Sequence, residues 1–141
     1  MGARRQGRIL AFQSLYRYDL SAAPLEELLD FSWQNRELSA ANTEEGRAFA
    51  RLLITGSLDK LPEIDTVIRE QLENWDFERL ARVDVAILRI SVYCLLYQRD
   101  IPASVTIDEA VTIAKVFGSD DSYRFINGVL DAVSKKHRGD G

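Results

Sequence analysis

The sequence predicts an all-helical fold, and three observations carry that prediction. Apolar residues recur at intervals of three and four along nearly the whole chain, the spacing that gathers them on one face of a helix. Three prolines and eight glycines punctuate the chain. No run alternates apolar and polar residues in the way a half-buried strand requires. The pattern amounts to about seven helices with short joints, folded as a bundle or as two bundles sharing a buried central helix.

The first predicted helix covers about 4–20, with Ile9, Phe12, Tyr16 and Leu20 on one face and Leu10, Leu15 and Tyr18 widening it. The second starts at Pro24, which suits a first helical turn, and carries Leu25, Leu28, Leu29 and Trp33. The third begins near Thr43, a capping residue followed by Glu44 and Glu45, and bears Phe49, Leu52 and Leu53. The fourth follows Pro62 with Ile64, Val67, Ile68 and Leu72.

The fifth, at 82–98, is the most informative. Val83, Ala86, Ile87, Ile90, Tyr93 and Tyr97 form one stripe, while Val85, Leu88, Val92 and Leu96 fall on other faces. A helix apolar nearly all round belongs in the middle of a fold, packed by helices from both halves of the chain. The sixth starts after Pro102. Its Val105–Ile107 stretch is β-branched, yet Ile107, Ala110, Val111, Ala114 and Phe117 keep helical spacing as far as Gly118, read as a helix stop. The seventh opens on Ser119–Ser122, repeats Ile126, Val129, Leu130 and Val133, and includes Gly128, read as a packing contact. A single domain over 1–141 is expected, loose at 1–3 and 137–141.

Composition narrows the chemistry. The hydrophobic share of 46% suffices for a core without staples. Cys94 is the sole cysteine and His137 the sole histidine, so neither a disulfide nor a cysteine–histidine metal site is expected, and no cofactor. The longest charge-free apolar stretch, 90–98, falls far short of the roughly 20 residues a membrane span needs. The 9–16 stretch contains Gln13 and Ser14 and lacks a cleavage signature, so a cytoplasmic location is expected. No glycine-rich phosphate loop occurs, and the adjacent acids Asp108–Glu109 and Asp120–Asp121 read as helix-start acids rather than a catalytic pair. The chain is expected not to be an enzyme.

Net charge is −4, but it is unevenly spread. Residues 1–20 hold Arg4, Arg5, Arg8 and Arg17 against Asp19, a balance of +3, whereas 21–80 sum to −7 and 81–141 to zero. Arginines at a helix N-terminus oppose the dipole, and phosphates would offset that repulsion, so Arg4, Arg5 and Arg8 are candidates for nucleic-acid contact beside the plain reading of a solvated helix end. Arg124 points away from the apolar stripe of its helix, and Phe125 lies about a quarter-turn off that stripe. Such a pair can stack an unpaired base, or the ring can close the edge of the core.

Residues 100–131 read DIPASVTIDEAVTIAKVFGSDDSYRFINGVLD. This closely resembles the C-terminal signature of the NusB family, with matching elements at Ile107–Ala110, Ala114–Lys115, Phe117–Gly118 and Phe125–Asp131. The block Val83–Tyr93 resembles the central helix of that family, and the N-terminal arginines followed by Gln13–Tyr16 match a third element, although Gln6 and Gly7 thin the arm. The resemblance implies two packed three-helix bundles and binding of boxA RNA in ribosomal-RNA leaders. It implies a partner, NusE, which doubles as a ribosomal protein, with NusA, NusG and RNA polymerase completing the complex. Carried over by position, Arg4, Arg5, Arg8, Lys115, Asp121, Arg124 and Phe125 would face RNA, the charge of Asp121 restraining it, and Tyr16, Glu78 and Asp84 would face NusE. Two alternatives stand beside this reading: a protein-interaction or homodimer module of the same fold without RNA binding, or the RNA-binding domain of an rRNA cytosine methyltransferase.

Overall fold

A computed structural model of the chain describes residues 2–31, 43–73 and 76–139. Among them are seven α-helices: α1 (Ala3–Ser21), α2 (Leu25–Asp30), α3 (Glu44–Asp59), α4 (Leu61–Glu70), α5 (Arg82–Tyr97), α6 (Ala103–Phe117) and α7 (Ser122–His137). A 3-10 turn at Phe77–Arg79 precedes α5, and the described residues include no strand. Trp33, expected on the second helix, lies outside the described residues.

Local signals place the joints. The Thr43 hydroxyl accepts from the Gly46 amide at 3.0 Å, capping α3 as expected. The β-branched Val105–Ile107 stretch is helical, forming the first turn of α6 up to Ile107, where the apolar spacing begins. Gly118 ends α6 in an extended conformation, and a Cβ there would fall 2.6 Å from the Ser122 side chain.

Helix α5 is the common core element. Val85, Leu88, Val92 and Leu95 on it are fully buried. It packs against α1, α3 and α4 and also against α6 and α7, so helices from both halves of the chain share it. Ion pairs reinforce this. The buried Arg89 guanidinium donates twice to Asp65 of α4 at 2.9 Å, and also meets Asp19 of α1 at 3.5 Å. A charge at that depth is tolerated because two carboxylates and their hydrogen bonds face it.

Two expectations are corrected. The buried face of α1 centres on Leu10, Ala11, Phe12 and Leu15; Leu20, placed on the buried stripe by spacing, is 62% exposed at the end of the helix. Gly128 is not a packing contact, since a Cβ there would meet nothing within 4 Å. The close approach occurs at Gly7 instead, where a Cβ would lie 2.8 Å from the Gly46 carbonyl oxygen and 2.8 Å from the Phe49 ring. Gly7 thus seats α1 on α3, which is why it interrupts the arginine run.

At the far end of the chain, Arg138 donates to the carbonyl oxygens of Ile101 and Arg99 at 3.0 and 2.9 Å, fastening the α5–α6 turn. Among the described residues no helix is long and apolar enough to cross a membrane.

Candidate nucleic-acid interface

The first turns of α1 present three arginines with three different fates. Arg4 is exposed, and its guanidinium carbon lies 4.4 Å from the centroid of the Phe49 ring on α3. Arg5 reaches across to α6 and donates to Glu109 through two of its three guanidinium nitrogens, Nε to Oε2 at 2.7 Å and Nη2 to Oε1 at 3.2 Å. Arg8 turns inward. It is 7% exposed, sits 5.3 Å from the Phe49 centroid, and its Nε has no hydrogen-bond partner. Burial lowers its pKa from the ordinary guanidinium value. It borders a void of about 10 Å³ with Phe12, Cys94 and Thr106, and the same burial pushes the Cys94 thiol up to about 11. Arg8 therefore does not join Arg4 and Arg5 at the surface. A signal for this was present, since Arg8 precedes Phe12 by four residues and Leu15 by seven, on the buried face of α1.

The second predicted element lies where α6 gives way to α7. Lys115 and Arg124 are both exposed, and both approach the ring of Tyr123, with Lys115 Nζ at 5.0 Å and Arg124 Cζ at 5.2 Å from its centroid. Arg124 also stands 3.5 Å from Asp121, a loose pair with both side chains largely in solvent. Phe125 is half-buried against the core and lines a groove of about 340 Å³. Tyr123 was not singled out by sequence reasoning, although its place directly before Arg124 and eight residues after Lys115 was legible.

The two elements, more than a hundred residues apart, meet on α6. Glu109 of α6 holds Arg5, and the ring of Phe117 at its end lies 5.1 Å from Phe12 of α1. The exposed cations Arg4 and Lys115 form no ion pair with any described residue. What results is a surface with unneutralised positive charge at both ends of the chain on an otherwise acidic protein.

The residues assigned to a protein partner are placed differently. Glu78 is exposed in the 3-10 turn and pairs with Arg69 at 3.1 Å. Tyr16 is half-buried against the core on α1. Asp84, in the first turn of α5, is 8% exposed rather than a surface acid, and its Oδ1 has no partner. Burial pushes its carboxyl above the usual carboxylate range, against the opposing pull of a hydrogen bond with Ser122. Asp84 lines the same groove as Phe125, Asp121, Leu80 and Arg79, so residues assigned to RNA and to a protein partner share one recess.

Comparison with known proteins agrees with this architecture. The NusB family model matches residues 5–135. The transcription antitermination protein NusB of Treponema denticola is 50% identical over 133 residues, covering 94% of this chain and 96% of that protein. Among solved structures, T. maritima NusB matches with a TM-score of 0.82 at 37% identity, covering 95% of this chain and 92% of that one. A structure of the antitermination factors NusB and NusE in complex with dsRNA matches with a TM-score of 0.83 at 25% identity, covering 95% and 97%. The relative is named as a transcription antitermination protein, in line with the expectation of a non-enzymatic protein.

Proposed function

The chain belongs to the NusB family, and on that premise we propose that it is an RNA-binding adaptor of bacterial transcription antitermination. It binds boxA-type single-stranded RNA together with NusE, and through that complex joins NusA, NusG and RNA polymerase. The observation that carries the reading is the set of exposed cations Arg4, Lys115 and Arg124, of which Arg4 and Lys115 form no ion pair among the described residues, with Arg5 joining α1 to α6. Phosphates are the ligand such charges suit, because neutralising them releases counterions. Support for NusE comes from the similarity to the structure of NusB and NusE in complex with dsRNA.

The test is a set of binding isotherms for boxA RNA, scrambled boxA and a duplex, each with and without NusE. Tighter binding of boxA than of the other two, increased by NusE, is the expected result. Equal affinity for all three would remove boxA from the reading, and no RNA binding would leave a protein-interaction module.

A further inference from the structure

The rings beside the exposed cations call for an explanation that packing alone does not give. A long cationic side chain can be held in place by a carboxylate or by an aromatic face. The carboxylate cancels the charge it holds, as Glu109 does for Arg5. The ring attracts the cation through its quadrupole and leaves charge and N–H donors available to a third group.

We propose that Tyr123 is a positioning residue for RNA, presetting Lys115 of α6 and Arg124 of α7 as an unneutralised pair for phosphates. The proposal rests on the RNA-binding reading above. Lys115 Nζ and Arg124 Cζ lie 5.0 and 5.2 Å from one ring centroid, within the range of cation–ring attraction. The ring is half-buried against the core, so it is fixed while its cations are exposed. Asp121 faces Arg124 at 3.5 Å with 87% of its side chain in solvent, too loosely to cancel it. Two cations of like sign brought to one ring repel each other, and an incoming phosphate relieves that repulsion. Phe49 stands in the same relation to Arg4, at 4.4 Å, which makes the device a repeated one.

The experiment compares the full chain with Tyr123→Phe and Tyr123→Leu, binding labelled boxA RNA across a salt series. Circular dichroism monitors folding, and carbon-edited NMR reports the Lys115 ε-methylene protons. The phenylalanine variant should bind like the parent and keep Lys115 shifted upfield by the ring current. The leucine variant should bind on the order of three- to tenfold more weakly at low salt, with the Lys115 shift lost. In a chain already carrying Lys115→Ala and Arg124→Ala, Tyr123→Leu should have no further effect on RNA, which separates positioning from a fold defect. Parent-like binding by Tyr123→Leu overturns the proposal, as do an unchanged Lys115 shift and a full effect of Tyr123→Leu in the doubly substituted chain. A phenylalanine variant as weak as leucine overturns it too, since the hydroxyl would then be the contact. If the parent binds no RNA, the functional reading itself has failed, and the parent arm alone reveals it.

Discussion

The first turn of α1 and the α6–α7 junction both gather cations, and they treat them in opposite ways. In α1, one arginine is exposed, one is neutralised by Glu109 and one is buried beneath Phe49. At the junction, both cations remain in solvent, held by Tyr123. The α1 turn spends much of its charge on joining α1 to α3 and α6, whereas the junction keeps its charge for a ligand. A count of arginines therefore overstates one site relative to the other, and the difference is set by what each side chain meets.

The comparison can be broken outright by removing the element both regions stand on. Leu88 of α5 is fully buried, so Leu88→Asp places an unpaired charge in the core and should abolish cooperative unfolding and RNA binding together. A near-parent melting curve would show that α5 is not the shared support. A smaller lesion should reach the α1 side first. Gly7→Ala drives a Cβ against the Gly46 carbonyl and should cost about 1–3 kcal/mol by overpacking. Its checks are chemical denaturation and hydrogen exchange, with exchange rising in α1 and α3 before α6 and α7.

Asp84 sharpens the comparison through pH. Its carboxyl is raised in the folded chain, so between the ordinary unfolded value of about 3.9 and the folded one the native state binds more protons. Stability from this group is therefore present at low pH and falls as pH rises through that window. Asp84→Asn should raise the melting temperature at neutral pH, with the gain vanishing below the unfolded value; a gain independent of pH would refute the assignment. The smallest effect concerns salt. Glu109→Gln should release Arg5 and steepen the log–log salt dependence of RNA binding by roughly 0.7 for one added phosphate contact on a single strand. Arg8→Met should leave that slope unchanged, because Arg8 is already buried; a lowered slope would return Arg8 to the RNA surface.

Helix existence and order were readable from spacing because burial of α5, α6 and α7 follows the 3.6-residue period through Leu88, Ala110, Ile126 and Leu130. Thr43 and Gly118 marked ends for local reasons that need no tertiary information. Glycine roles were not legible. Gly7 and Gly128 look alike in sequence, and only the neighbour at 2.8 Å in one case and none within 4 Å in the other separates them. The candidate cations were found by charge, yet the fate of each depended on partners far away, such as Glu109 for Arg5, 104 residues on. The partner-facing role of Asp84 came only from the family resemblance; its burial follows from sitting four residues before Leu88 on the packed side of α5.

The Arg138 latch ties the α5–α6 turn to a residue that leaves the ribosome 37 and 39 positions after the two carbonyls it binds. At about 5–20 residues per second, those carbonyls are made about 2–8 s before their partner. Until Arg138 is in place, the turn rests on side-chain packing and on the Ile101 amide, which donates to the Gln98 carbonyl oxygen at 3.1 Å. Closure of the α5–α6 turn is thus tied to the docking of the last turn of α7, so the two events are coupled in folding.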